Sequence, residues 1–352
     1  MNKDIILSVD YHDEKSVIRR RDQRSGEEQL LTVASSAKEL LRVAEEALAV
    51  TRRRRSQVVW IQESTTGWAR VQALLGERVT FLLANVLQMP QPPKAKRRKT
   101  DRIDTARIQR EYLNGELPLA HQPPAWWRQV RRLVCLRENL VNRRTALRNW
   151  INRYLAHETW EERSNLWSEK GQVRLESMLS KLPGWDGAIV ARKQEELNRQ
   201  AEDLSWVEGQ LHELYRTWPE AQRIDAVRGI GVIAAVSIVA RIGPIERFGN
   251  AEQLIAYAGL APGIRESNAT RYNGRIGGGG TDKHLRHYLM EATVWARQLP
   301  RYRATYERAA RRRGNKIGRL IVARLLLRSI YKVLRDGVAF NGEAKPACAT
   351  VS

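Results

Sequence analysis

Four acidic residues stand where phosphodiester chemistry would need them. Asp10 closes the apolar run Ile5-Ile6-Leu7-Ser8-Val9, and Glu63 closes the β-rich stretch that begins at Ser56. Asp101 and Asp104 lie three apart at the start of a helical stretch, so they share one helical face. Carboxylates gathered at one point repel, and each raises its neighbours' pKa. Divalent cations, Mg2+ or Mn2+, remove that conflict. Two such ions held by Asp and Glu oxygens stabilise the attacking and leaving oxygens of a phosphodiester displacement. Taken singly, a carboxylate ending a strand is often a turn residue, and Asp101 also suits a helix N-cap. Only the four together point to a metal site. Asp4 and Asp13 are the acidic neighbours of Asp10. Asp4 precedes the strand and Asp13 falls in the turn after it, so both fit less well.

The elements that must bring these residues together can be read along the first 125 residues. Residues 5–9, 15–21 and 28–33 have strand character, separated by polar turns. Residues 37–50 carry Leu40, Leu41, Val43, Ala44 and Leu48 at helical spacing. A fourth strand from Ser56, a helix over 66–75 and a fifth strand at 79–83 follow. Three strands, helix, strand, helix, strand is the order of the RNase H-like α/β fold. In that topology the ends of the first and fourth strands are neighbours, and the next helix crosses close by.

Beyond the sheet, Pro90, Pro92 and Pro93 precede Lys94, Lys96, Arg97, Arg98 and Lys99, a loop signal with dense positive charge. Residues 126–157 predict a long helix with a heptad-like seam of Leu133, Leu136, Leu140, Leu147, Trp150 and Tyr154, interrupted by Arg143. A second such stretch carries Leu197, Leu204, Val207, Leu211 and Leu214. Together they predict a helical coiled-coil arm over 126–220, either an antiparallel pair or a dimer element. Eight of the eleven tryptophans lie between 126 and 218, where packing between helices is the expected use. Residues 221–337 read as a mainly α C-terminal domain, and 338–352 as a loose tail.

That last domain opens on Val227-Arg228-Gly229-Ile230-Gly231, which reads as a helix–hairpin–helix turn, with an ordinary helical hairpin as the alternative. Its glycines would let backbone N–H groups approach a phosphate. Tyr257-Ala258-Gly259-Leu260-Ala261-Pro262 then leads to Ser267, with Arg265, Arg271 and Arg275 around it. Guanidinium groups suit a phosphate substrate. A serine alone is a weak nucleophile, and local sequence makes Ser267 an ordinary loop residue. His284 and His287 lack further ligands at metal spacing and suit a structural or phosphate-contacting pair. Arg324, Arg328, Lys332 and Arg335 form a basic rail on a packed helix.

Composition narrows the function class. The 352 residues hold 61 Lys and Arg against 39 Asp and Glu, a net charge of +22, which favours a polyanionic partner. A hydrophobic content of 42% excludes a disordered chain. Two cysteines, Cys135 and Cys348, make neither a disulfide framework nor a zinc site. No apolar run approaches the roughly 20 residues that span a bilayer, and Ile5–Leu7 is too short for a signal peptide. A cytoplasmic protein without membrane contact is expected.

These motifs, in this order, resemble the Piv-type DEDD recombinases, the transposases of insertion sequences that encode a bridge RNA. The resemblance rests on Ser8-Val9-Asp10, Ile61-Gln62-Glu63, Thr100 to Ala106, Arg228 to Gly231, Tyr257 to Pro262 with Ser267 downstream, and His284-Leu285-Arg286. It implies a RuvC-like domain with Asp10, Glu63, Asp101 and Asp104 as metal ligands, and Ser267 as the nucleophile that joins covalently to DNA. It also implies donor and target double-stranded DNA selected by a structured guide RNA. A homo-oligomer, dimer or tetramer, would let metal site and serine meet between protomers, in a bacterial, nucleoid-associated protein. Two departures stand out. Asn268 occupies the place of a usual glycine, and Gly277–Gly280 replaces a lysine-containing loop. The competing expectations are a Holliday-junction resolvase with metal carboxylates and no serine chemistry, and a non-catalytic nucleic-acid-binding protein.

Overall fold

A computed structural model describes residues 4–90, 101–159, 161–261, 264–267, 270–273, 277, 280–338 and 340, the stretches 264–267 and 270–273 by their backbone. The chain divides into two compact units, Met1–Gln122 and Pro123–Ser352.

The first unit holds five strands: β1 Ile5–Tyr11, β2 Lys15–Asp22, β3 Glu28–Ala34, β4 Val58–Glu63 and β5 Thr80–Ala84. The sheet order is β3-β2-β1-β4-β5, with β2 antiparallel to both β1 and β3, and β4 parallel to both β1 and β5. Helices α1 (Ala37–Arg54), α2 (Trp68–Leu75) and α3 (Asp101–Leu113) cover it. Every residue of β1 is buried, as a central strand covered on both faces must be. Alternation sorts its side chains. Ile5, Leu7, Val9 and Tyr11 pack with Leu40, Val43 and Leu48 of α1 and Val71 of α2. Ile6 packs on the other face with Val59, Ile61 and Ile108 of α3. Asp10 shares parity with Ile6, and Glu63 with Val59 and Ile61, so both carboxylates belong to the α3 face.

The second unit begins with α4 (Ala125–Glu158), α5 (Glu169–Lys181) and α6 (Gly184–Arg216). The two long helices run antiparallel: Trp127 meets Trp218 just past the end of α6, Arg137 meets Glu208, and Tyr154 meets Asp186. On α6 the buried residues Val190, Leu197, Leu204 and Leu211 recur every seven positions. On α4 the seam differs from the expected one. Leu136 and Trp150 are 42% and 37% exposed, while Val130, Val134, Ile151 and Leu155 are buried beside Leu140 and Leu147. Leucines dominate the sequence pattern, but β-branched residues one or two positions away carry much of the buried seam. The helix α5 closes the far end through Leu175 and Met178, which pack with Ile151, Leu155 and Val190.

The near ends of α4 and α6 share one core with the remaining helices, so residues 126–220 are not a separate body from the C-terminal domain. Those helices are α7 (Pro219–Asp225), α8 (Val232–Ile242), α9 (Ala251–Tyr257), α10 (Lys283–Ala296), α11 (Pro300–Arg313) and α12 (Asn315–Asp336). Between α9 and α10 lies a two-stranded antiparallel hairpin, β6 Ile264–Ser267 and β7 Thr270–Asn273. Strands of four residues are too short to register as periodicity, which is why this stretch reads as loop in the sequence. The tail from 341 onward lies outside the described residues. No helix among the described residues is long and apolar enough to cross a membrane.

Candidate functional site

The parallel register of β1 and β4 ends on Val9 opposite Gln62, one residue short of Asp10 and Glu63. The two carboxylates therefore close adjacent strands on the same face. Asp101 and Asp104 occupy the first turn of α3, the helix that packs on that face. All four line one pocket, together with Tyr11, His12, Asp13, Thr65 and Thr66. The loop after β4 is held against the end of β1. Gly67, at φ +90°, sits so close to the Tyr11 ring that a β-carbon there would lie 2.6 Å from Cε1. The Arg70 guanidinium donates to the Tyr11 hydroxyl from the same side. Ser64 N donates to Ala84 O at 3.1 Å, which fixes the chain just past Glu63.

His12 is the member of this pocket that a reading confined to carboxylates passes over. Its Nε2 is 3.4 Å from Asp10 Oδ1 and 3.9 Å from Asp101 Oδ1. Asp10, His12 and Asp101 each offer a donor atom within 4.8 Å of the other two. The signal was present in the spacing, since a residue two beyond Asp10 along an extended chain returns to the same face. Of the acidic alternatives, Asp4 is buried and accepts a hydrogen bond from Gln57 N at 3.2 Å, which ties the starts of β1 and β4 together. Asp13 is exposed, 3.8 Å from Arg70. The donor set, hard oxygens plus one imidazole around a shared space, fits a divalent cation.

Ser267 ends β6, and the hairpin register sets it opposite Thr270; Arg265 and Arg271 lie on the same two strands. Arg275 and the basic loop Lys94, Lys96, Arg97, Arg98 and Lys99 lie outside the described residues. The chain entering the hairpin is firmly anchored. Arg324 Nε donates to Leu260 O at 2.7 Å, Arg286 Nη1 to Gly259 O at 3.4 Å, and Asp282 N to Tyr257 O at 2.8 Å. Past the hairpin, Gly277 has φ +82°, and a β-carbon there would fall 1.7 Å from Arg286 Nη1. One guanidinium thus bonds the entry at Gly259 and packs against the exit at Gly277.

His284 and His287 do not form a pair. His284 Nδ1 lies 2.5 Å from Glu138 Oε2, while His287 sets its ring edge-on to Tyr288. Glu138 also faces Arg241 at 3.6 Å. Burial works against the Arg241 charge, but Asp282 first, then Cys135 and Glu138, outweigh it and hold that guanidinium above its ordinary pKa.

The expected basic positions differ in their surroundings. Gly229 has φ +97° and abuts α10, whereas Gly231 is the N-cap of α8 with open space around it. On α12, Arg324 turns inward to Leu260, Arg328 pairs with Glu252 at 2.8 Å, and Arg335 donates to the Tyr331 hydroxyl at 2.6 Å. Lys332 is exposed. The denser rail is α11, where Arg301, Arg303, Arg308, Arg311, Arg312 and Arg313 stand against the single acid Glu307. Arg303 lines a pocket with Arg228 and Arg297, and Arg228 lies over the half-exposed Trp295 ring at 5.9 Å. The charge run of α11 was the available signal.

Residues 221–307 match the model of the Transposase IS116/IS110/IS902 family. The chain is 25% identical over 173 residues to the transposase for insertion sequence element IS1111A of Coxiella burnetii, covering 48% of this chain and 47% of that one. It is 27% identical over 136 residues to an insertion element IS110 uncharacterized 43.6 kDa protein of Streptomyces coelicolor, covering 38% and 34%. A putative transposase, y4pF/y4sB, of Sinorhizobium fredii is 22% identical over 286 residues, 78% of this chain and 71% of that one. The first two matches span about half or less of those relatives' length.

Proposed function

We propose that this chain is a DNA transposase of the IS110 kind, a recombinase that cuts and rejoins strands through a serine–DNA intermediate. The observation that carries the proposal is the meeting of Asp10, Glu63, Asp101 and Asp104 in one pocket at the ends of parallel strands. The strand order β3-β2-β1-β4-β5 supports reading the first unit as RNase H-like and RuvC-like. The match over 221–307 supports transposition as the process served.

In this reading the four carboxylates would hold Mg2+ or Mn2+, which would supply electrostatic stabilisation of the phosphodiester oxygens. The Ser267 hydroxyl attacks the phosphorus. One P–O bond to a DNA strand breaks, a phosphoserine ester forms, and the released strand end leaves as a hydroxyl. The Ser267 proton passes to solvent. Attack by a hydroxyl of the exchanged strand reverses the step, frees the serine and conserves the bond energy that hydrolysis would discard. The charge of +22 and the arginines of α11 supply contacts to the DNA backbone and to a structured guide RNA. A homo-oligomer would let Ser267 of one protomer work at the carboxylates of another.

The test is a reaction with donor and target DNA, with and without RNA transcribed from beside the gene, analysed under denaturing conditions. A covalent adduct mapping to Ser267, lost in Ser267→Ala and Asp10→Ala, is expected. Mixing those two inactive variants restores partial activity if the site is shared between protomers. Metal-dependent cleavage with no adduct would instead make the protein a resolvase-like nuclease. Recombination by nuclease-treated protein without added RNA would remove the guide.

A further inference from the structure

We infer that His12 is a nitrogen ligand in the carboxylate pocket, so that this site selects Mn2+ over Mg2+. The inference rests on the metal reading proposed above and adds to it a donor of a different kind.

Adjacent donors on an octahedral ion with bonds of about 2.1 Å sit about 3.0 Å apart, and opposite donors about 4.2 Å apart. His12 Nε2 stands 3.4 Å from Asp10 Oδ1 and 3.9 Å from Asp101 Oδ1, within that span. The contact with Asp10 is longer than the roughly 2.7–2.9 Å of a charge-assisted hydrogen bond. The imidazole therefore lies beside both carboxylates at a spacing that one shared ion would accommodate. Its side chain is 59% exposed, which leaves room for the small rotation that would bring the three donors onto one ion.

The chemistry then sets the preference. Among the described residues lining the pocket, His12 is the one side chain with a nitrogen donor; the others offer carboxylate or hydroxyl oxygens. Mg2+ demands near-ideal octahedral oxygen coordination and gives up water reluctantly. First-row transition ions accept imidazole readily, and Mn2+ also suits carboxylates. An oxygen set with one imidazole thus gains affinity for Mn2+ and little for Mg2+.

Pulsed electron paramagnetic resonance of Mn2+ added to the full-length protein tests this directly. The expected spectrum carries a directly coordinated 14N coupling that disappears in His12→Ala. Mn2+ affinity should fall about tenfold or more in that variant, while Mg2+ affinity, read by competition, changes by less than about twofold. Circular dichroism checks that the variant folds. If the wild-type protein binds no Mn2+, the metal reading itself fails and this inference with it. If Mn2+ binds and Asp10→Asn abolishes binding, but the nitrogen coupling is absent or survives His12→Ala, the His12 assignment alone is overturned.

Discussion

A β-carbon on Gly229 would stand 2.8 Å from the backbone oxygen of Ala292 and 2.9 Å from Trp295 Cβ. The glycine is required twice over, by this approach to α10 and by its φ of +97°. Gly231, two residues on, has φ −84° and nothing within 4 Å of an added β-carbon. Gly229→Ala is therefore expected to destabilise the protein by roughly 2–4 kcal/mol, and Gly231→Ala by about 1 kcal/mol or less. Urea midpoints measure both. If the turn contacts a phosphate through its backbone, Gly231→Ala lowers DNA affinity with its midpoint nearly kept. Equal midpoints for the two variants would contradict the packing role of Gly229.

The acidic residues near β1 should separate by role. Asp101→Asn and Asp104→Asn, in the first turn of α3, are expected to lower DNA cleavage at least about a hundredfold while changing stability by about 0.5 kcal/mol. Asp4→Asn should do the reverse. It weakens the half-buried bond to Gln57 N, costs on the order of 1 kcal/mol, and leaves cleavage intact well below the unfolding transition. Gel assays of cleavage paired with urea titrations decide it. Loss of cleavage in a fully folded Asp4→Asn protein would move Asp4 into the site.

The two basic helices make opposite forecasts. Arg311, Arg312 and Arg313 are exposed at the end of α11, so replacing all three by Gln should flatten the salt dependence of DNA binding. The slope of log K against log salt falls by about 0.9 for each phosphate that is no longer neutralised. Arg324→Gln removes the bond to Leu260 O and should lower stability by about 1 kcal/mol, with the salt slope nearly unchanged. Fluorescence anisotropy over a salt series reads the slopes. A larger slope change from Arg324→Gln would place Arg324 on the nucleic acid despite its bond to Leu260 O.

Much of the first unit was legible because its signals are local. Asp10 and Glu63 end apolar strands, and the run of elements allows few sheets. What sequence could not give was side-chain direction. Leu136 and Trp150 belong to a plausible heptad yet face solvent, because Val134 and Ile151 bring the helix round to α6 by a different edge. Arg324 has the spacing of a rail but finds a carbonyl 64 residues away in sequence. His12 matters only once α3 brings Asp101 alongside, an approach spanning a segment that carries no periodic signal. Short elements failed for a related reason: β6 and β7 are too brief for alternation to stand out from noise.

The arm offers a pH-dependent reporter. Tyr154 on α4 donates its hydroxyl to Asp186 Oδ1 at 2.5 Å and stacks on Trp150 at 5.0 Å between centroids. The hydrogen bond to Asp186 foremost, then desolvation and the charges of Asp186 and Glu158, push the phenol from 10.0 up to about 12. A folded-state pKa above the unfolded one favours the protonated phenol in the folded arm. The bond's contribution is therefore complete below pH 10 and disappears as pH rises from there through about 12. Tyrosinate absorbance of the wild type minus that of Tyr154→Phe should show a step near 12. In an Asp186→Asn background the step should move down toward 10, the ordinary phenol value. A wild-type step already at 10 would mean that α4 and α6 do not hold this hydrogen bond in solution, and the antiparallel pairing of the arm would lose its far-end support.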